Sequence, residues 1–226
     1  MRSTSTPQAM FFDLDGTLVD SRRAIVRAVA QGVQTVLQRH EITGQSPDEH
    51  AIMDAMGLPP VEYYRRILPP ELAHLAQEVK ESATATEVEV LAKGEGKLYP
   101  AVEETLRELR ARGVRLAIVS NAQEPYFRAC LRYLGLSALV EHAECHEELP
   151  EGVEGGKPVL LRRALQALRV EAKSGVMVGD RREDIAAGRE LGCLTVGLSY
   201  GFAREGELAQ ADHLFGEFRR LLELLD

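Results

Sequence analysis

The chain has 226 residues, 45% of them hydrophobic, enough for one large or two small domains with a packed core; wholesale disorder is excluded. The net charge of −8, from 27 basic and 35 acidic residues, argues against nucleic acid or an anionic membrane as the main partner. Cys130, Cys145 and Cys193 are widely spaced and odd in number, no run of about 18 apolar residues marks a membrane span, and the opening MRSTSTPQ reads as a frayed tail without the apolar stretch of a secretory leader; together they predict a cytoplasmic enzyme.

The first predicted element is a buried strand over Ala9–Phe12, ending at Asp13-Leu14-Asp15-Gly16-Thr17. Residues two apart on a strand point the same way. Asp13 and Asp15 therefore reach one site, where like charges repel unless a cation or a proton lies between them. A strand end, an acidic pair, a glycine and a hydroxyl suit a metal-assisted reaction on a phosphate, with either aspartate available as nucleophile.

Helical spacing follows over Arg22–Arg39, through Ile25, Val29, Val33, Val36 and Leu37. A short helix over residues 48–56 ends near Gly57. Pro59-Pro60 opens a helix carrying Tyr63, Tyr64 and Ile67, and Pro69-Pro70 opens another with Leu72, Leu75, Ala76 and Val79 on one face. Residues 22–93 thus read as all-helical. Strand and helix then alternate: a helix over 101–112 stopping at Gly113, a strand over 114–121, a helix from Pro125 to Leu134, a weaker strand near Ala138–Ala143, a helix from Pro158 to Leu168, a strand over 175–180, a helix from Glu183 to Leu191, a strand over 193–198, an edge strand over Ala211–Phe215 and a last helix over Glu217–Leu225. This alternation implies a parallel sheet with helices on both faces, whose ligands bind beyond the carboxyl ends of the strands.

The chemistry falls at those ends. Asp13 and Asp15 follow the first strand, Ser120-Asn121 the second, Lys157 sits in a Gly-Gly-Lys-Pro turn before a helix, and Asp180 and Asp184 lie in Val-Gly-Asp-Arg-Arg-Glu-Asp-Ile. In this order the four groups resemble the motifs of the haloacid dehalogenase-like superfamily. The helical stretch between the first two resembles the cap of its phosphoglycolate-phosphatase-like branch. The resemblance runs from Met10 to Leu225. It implies an α/β fold: a doubly wound, Rossmann-like parallel sheet core of residues 1–20 and 98–226, with an inserted all-helical cap domain of residues 21–97.

The resemblance also implies roles. Asp13 would attack phosphorus and form an aspartyl phosphate, and Asp15 would protonate the leaving oxygen and then deprotonate water. Mg²⁺ would be held by Asp13, the Asp15 carbonyl, Asp180 and waters, with Asp184 acting through water or behind the ligands. Ser120, Asn121 and nearby amides would bind phosphoryl oxygens, and Lys157 would offset negative charge. The partner would be a small phosphorylated molecule. Tyr63, Arg65, Arg66 and Lys93 of the cap are candidate specificity contacts.

Plainer readings stand beside these. Asp184 equally suits a helix cap, Ser120-Asn121 a turn, and Thr17 either a local turn or a hydrogen bond to Asp15. The segment Glu141–His146 has two histidines and a cysteine, but no spacing typical of zinc. Arg181 replaces the Ser or Thr common in relatives, and either pairs with Glu183 or Asp184 or faces solvent. Lys157-Pro158-Val159 departs from a commoner Lys-Pro-Asp. Asp15 argues against a dehalogenase. A sugar phosphomutase of the β-phosphoglucomutase type is the runner-up, and a phosphoryl-binding receiver-like module comes third.

Overall fold

The computed structural model describes residues 6–44, 46–56, 58, 60–146 and 156–226. Gly57, Pro59, Gly155 and the opening five residues, which figure in the expectations above, lie outside the described residues. Six strands form one parallel sheet: β1 (Ala9–Phe12), β2 (Arg115–Gln123), β3 (His142–His146), β4 (Gly175–Gly179), β5 (Leu194–Leu198) and β6 (His213–Phe215), in the spatial order β3-β2-β1-β4-β5-β6. The order reverses between β1 and β4, the switch point at which doubly wound sheets open a crevice for ligands.

Alternation along β1 builds a core on each face. Met10 and Phe12 pack on one side with Leu106 and Leu109 of α5 (Val102–Ala111) and Phe127 of α6 (Glu124–Tyr133). Ala9 and Phe11 pack on the other with Leu161 and Leu165 of α7 (Lys157–Ala167) and Ala187 of α8 (Arg182–Leu191). With both faces covered, the strands read as continuous apolar runs.

Between β1 and α5 lie α1 (Arg22–Arg39), α2 (Glu49–Asp54), α3 (Pro60–Ile67), a 3₁₀ segment over Pro70–Leu75 and α4 (Ala76–Ala92). They enclose an apolar core of their own, with Val29, Val33 and Val36 of α1, Tyr64 and Ile67 of α3, and Val79 and Ala83 of α4. The two chain crossings into this layer are stitched together: the Asp20 N–H donates to the Lys97 carbonyl and the Tyr99 N–H to that of Leu18, each at 2.9 Å.

The differences from the sequence reading have local causes. The helix expected from Pro69-Pro70 is split, with the prolines followed by 3₁₀ geometry and α4 beginning at Ala76. The weak strand expected at Ala138–Ala143 starts at His142, because Leu136 and Leu139 are buried in a 3₁₀ turn that delivers the chain to the sheet. β2 runs on to Gln123 through a register irregularity between Val119 and Gln123. The C-terminal segment Phe218–Leu225 is 3₁₀ rather than α, with Phe218 and Leu221 buried three residues apart, the period of that helix.

Candidate active site

β1 ends by donating the Asp13 N–H to the Val178 carbonyl of β4 at 2.9 Å, which aims the Asp13 side chain across the switch point. The chain then turns at Gly16, whose φ of +80° is accessible at little cost only to glycine. A Cβ there would overlap the Asp180 carboxyl. Gly179 plays the same spatial part on β4, since a Cβ would overlap the Asp184 carboxyl. Two missing side chains thus let three carboxyls converge. Ligand oxygens of Asp13, Asp180 and Asp184 lie within 4.8 Å of one another, and all three residues are buried.

Lys157, at the start of α7, enters this cluster 4% exposed. Its Nζ donates to Asp13 Oδ1 at 2.5 Å and to the Val119 carbonyl at 3.1 Å, and lies 2.9 Å from Asp184 Oδ1. Asp180 accepts from the Thr17 hydroxyl at 2.9 Å and from the Phe202 N–H at 2.7 Å. Thr17 thus serves Asp180, not Asp15, and its own carbonyl accepts from the Tyr200 hydroxyl at 2.6 Å. Asp184 caps α8 by accepting the Arg181 N–H at 3.0 Å while its other oxygen faces Lys157, so one carboxyl both caps the helix and joins the cluster.

Burial pushes the Asp13 and Asp180 carboxyls up from the ordinary range, Asp180 strongly. Burial likewise raises Asp184, to about 6, against the opposing pull of Lys157. Burial alone would loosen the Lys157 proton, but the charges of Asp13 and Asp184 outweigh it and the ammonium is held more tightly than usual. Three carboxylates against one ammonium leave two negative charges in excess when all are ionised. A buried excess of two charges, presented on hard oxygen donors, fits a divalent cation such as Mg²⁺.

Asp15 points elsewhere. It is half-buried and accepts from the Tyr126 hydroxyl of α6 at 2.6 Å. Burial raises it too, against the pull of Tyr126 and Lys157. The two aspartates therefore have separate surroundings, Asp13 beside a cation and Asp15 beside a phenol. Ser120 is 2% exposed and its Oγ accepts the Ala122 N–H at 3.1 Å, a turn within the irregular end of β2. Ser120 and Asn121 line the same pocket as Asp13, Asp15 and Lys157, which encloses about 700 Å³ including its open mouth.

The helical layer closes this pocket, though not with all of the expected residues. Tyr63 lines it. Arg65 and Arg66 are exposed on α3, and Lys93 is exposed and paired with Glu89 at 2.8 Å; none of the three lines the pocket. In their place stand Tyr64, Thr84 and Glu87. Arg181 neither faces solvent nor pairs its side chain with Glu183 or Asp184. Its guanidinium donates to Glu207 at 2.8 Å and to the Met53 carbonyl of α2 at 3.3 Å, tying the helical layer to the sheet. Arg204 adds a second tie, to Asp54. His142 pairs with Glu144 at 2.7 Å, and among the described residues the aspartate triad is the cluster with metal-binding geometry.

Residues 7–192 match the family model of the haloacid dehalogenase-like hydrolases. The chain belongs to this family. Among curated relatives, it is 30% identical over 214 residues to a phosphoglycolate phosphatase of Neisseria meningitidis, covering 91% of this chain and 86% of that protein. It is 31% identical over 202 residues to the tyrosine-protein kinase PtkA of Mycobacterium tuberculosis, and there the match takes in 88% of this chain but 64% of the relative's length. The crystal structure of a predicted phosphoglycolate phosphatase from Haemophilus somnus superimposes with a TM-score of 0.84 at 25% identity, over 99% of this chain and 100% of that one. The inserted helical layer is part of that shared fold. Among the described residues no helix is long and apolar enough to cross a membrane.

Proposed function

We propose that this haloacid dehalogenase-like hydrolase is a Mg²⁺-dependent phosphatase of a small organic phosphomonoester. The observation that carries the reading is the division of labour between Asp13, packed against Lys157 among buried carboxyls, and Asp15, set apart against Tyr126. In the first step an Asp13 oxygen bonds to phosphorus as the bond from phosphorus to the leaving oxygen breaks, and Asp15 gives that oxygen its proton. In the second, water bonds to phosphorus while Asp15 takes its proton, and the bond to Asp13 breaks, releasing phosphate and restoring the carboxylate. Paired carboxyls with different surroundings can hold opposite protonation states, which these steps need.

Ser120 and Asn121 bind and orient the phosphoryl oxygens, and Lys157 offsets charge on Asp13 and on the phosphoryl group. Asp13, Asp180 and the Asp15 carbonyl would hold Mg²⁺, with Asp184 behind them, and the ion when bound neutralises charge on the phosphoryl oxygens. Residues 21–97 act as a cap over the core of residues 1–20 and 98–226, excluding water from the first step. Three widely spaced cysteines, Cys130, Cys145 and Cys193, suit a cytoplasmic setting. The test is release of phosphate from p-nitrophenyl phosphate, with many turnovers per site in Mg²⁺ and none in EDTA; metal-independent turnover would refute the metal assignment.

A second reading draws on the likeness to PtkA: the phosphoryl group passes to an organic hydroxyl instead of water. A sugar phosphomutase falls within this reading. Supplying a sugar phosphate or a tyrosine peptide with a phosphoryl donor separates the two, because transfer gives an isomeric sugar phosphate or a phosphopeptide in place of inorganic phosphate. A receiver-like module accounts for neither the helical insertion nor Asp15.

A further inference from the structure

The helical wall of the pocket carries a carboxyl that the proposed chemistry does not use. Glu87 lies on the inner face of α4, on the i, i+4 row that runs through Val79 and Ala83, and is 9% exposed. Among the described residues it has neither a hydrogen bond nor an ion pair, yet it lines the pocket. A buried carboxyl without a partner is costly, and such a group normally has one. Beside it the Tyr63 hydroxyl, also buried and lining the pocket, has no partner among the described residues.

The cations nearby are committed elsewhere. Lys157 is held by Asp13 and Asp184, and Arg181 by Glu207 and the Met53 carbonyl. Lys80, two turns away on α4, is buried but does not line the pocket. The same wall is aromatic: Tyr63 and Tyr64 meet edge to face with ring centroids 4.8 Å apart. The pocket therefore sets a lone carboxyl and an open hydroxyl among ring faces, opposite the phosphoryl site.

We propose that Glu87 determines specificity for a phosphomonoester whose leaving group carries an ammonium, seated between the Glu87 carboxylate and the tyrosines. The inference rests on the phosphatase reading above. An ammonium brings three donors and a charge, which satisfies Glu87, engages the Tyr63 oxygen and is favoured by the ring faces. A leaving group bearing a carboxylate, such as glycolate, would bring a third carboxyl next to those of Glu87 and Asp15 and no cation to pair with them. A neutral hydroxyl would satisfy one acceptor and bring no charge to pair with the carboxylate.

The test compares kcat/KM of the whole protein in Mg²⁺ for aminopropyl, propyl and hydroxypropyl phosphates and phosphoglycolate, with p-nitrophenyl phosphate as reference. Aminopropyl phosphate is expected to exceed propyl phosphate by about tenfold, chiefly through KM, with phosphoglycolate the poorest. Glu87→Gln should bring the aminopropyl-to-propyl ratio close to one, and Glu87→Asp should keep part of it. Hydroxypropyl phosphate or phosphoglycolate ahead of aminopropyl phosphate in the wild type, or an unchanged ratio in Glu87→Gln, overturns the inference. Turnover of p-nitrophenyl phosphate without an amine preference overturns it alone, whereas no turnover of any ester removes the phosphatase reading beneath it.

Discussion

The two walls of the pocket solve the problem of buried charge in opposite ways. On the sheet side each charged group has a hydrogen-bond or ion-pair partner, although the carboxyls outnumber their cation: Lys157 meets Asp13 and Asp184, Asp180 meets Thr17 and the Phe202 N–H, and Arg181 meets Glu207. On the helical side Glu87 is left to desolvation, and Asp15 adds to the cost. A wall whose charges are mutually held keeps its geometry with any substrate, so it suits chemistry shared by a family. A wall with an unanswered group awaits a particular ligand, so it suits selection.

The contrast can be broken most forcefully at Asp13. Asp13→Asn keeps the size of the side chain but removes the nucleophile, and turnover should fall by a factor of about 10⁴ or more with the fold intact by circular dichroism. Appreciable residual activity would mean that Asp13 is not the attacking group. The next effect is on stability. Lys157→Met leaves the buried carboxyls without their cation and should cost about 3–5 kcal/mol in urea unfolding in EDTA. A loss under 1 kcal/mol, on the order of an exposed pair, would show that the sheet wall does not depend on this pairing.

Glu87 should behave in the reverse sense. Burial, and then the charge of Asp15, pushes its carboxyl up to about 8. The folded protein therefore keeps a proton that the unfolded chain has released, and stability should fall as pH rises from the ordinary carboxylate range through about 8, levelling off above it. Glu87→Gln removes this slope. Relative to the wild type the variant should gain about 3 kcal/mol between mildly acidic and mildly alkaline pH, as each tenfold in acidity is worth about 1.4 kcal/mol. Parallel stability curves would place Glu87 in contact with water. The smallest change is Tyr126→Phe, which removes the 2.6 Å hydrogen bond to Asp15. It should lower kcat by roughly fivefold for alkyl esters and less for p-nitrophenyl phosphate, whose leaving oxygen needs little protonation. Equal losses would detach Tyr126 from the proton-transfer step.

The sequence made the sheet wall legible because its groups sit at strand ends, where apolar runs stop at polar residues. Asp13, Asp15, Ser120 and Asp180 are legible that way, Lys157 instead from its Gly-Gly-Lys-Pro turn before a helix, and the helical spacing over Arg22–Arg39 coincides with α1. The helical wall was far less legible. Arg65, Arg66 and Lys93 stand out in the sequence as cations, yet charges on helices mostly face water, as these do. The informative signal was the opposite one, an acidic residue on the apolar row of α4 at Glu87. Tyr126 and Phe202 reach the site from α6 and from the loop after β5, through contacts 111 and 22 residues apart in sequence that no local pattern encodes. Arg181 stands out in the sequence as a departure, but its partners Glu207 and Met53 come together only in the folded chain.

The central claim is that Asp13 carries the phosphoryl group between the two steps. Acid quenching during turnover of p-nitrophenyl phosphate in Mg²⁺, followed by peptide mass analysis, should find one phosphoryl adduct on the peptide containing Asp13, and none after reaction in EDTA. Sustained turnover with no adduct there, or with the adduct on another peptide, would contradict the account.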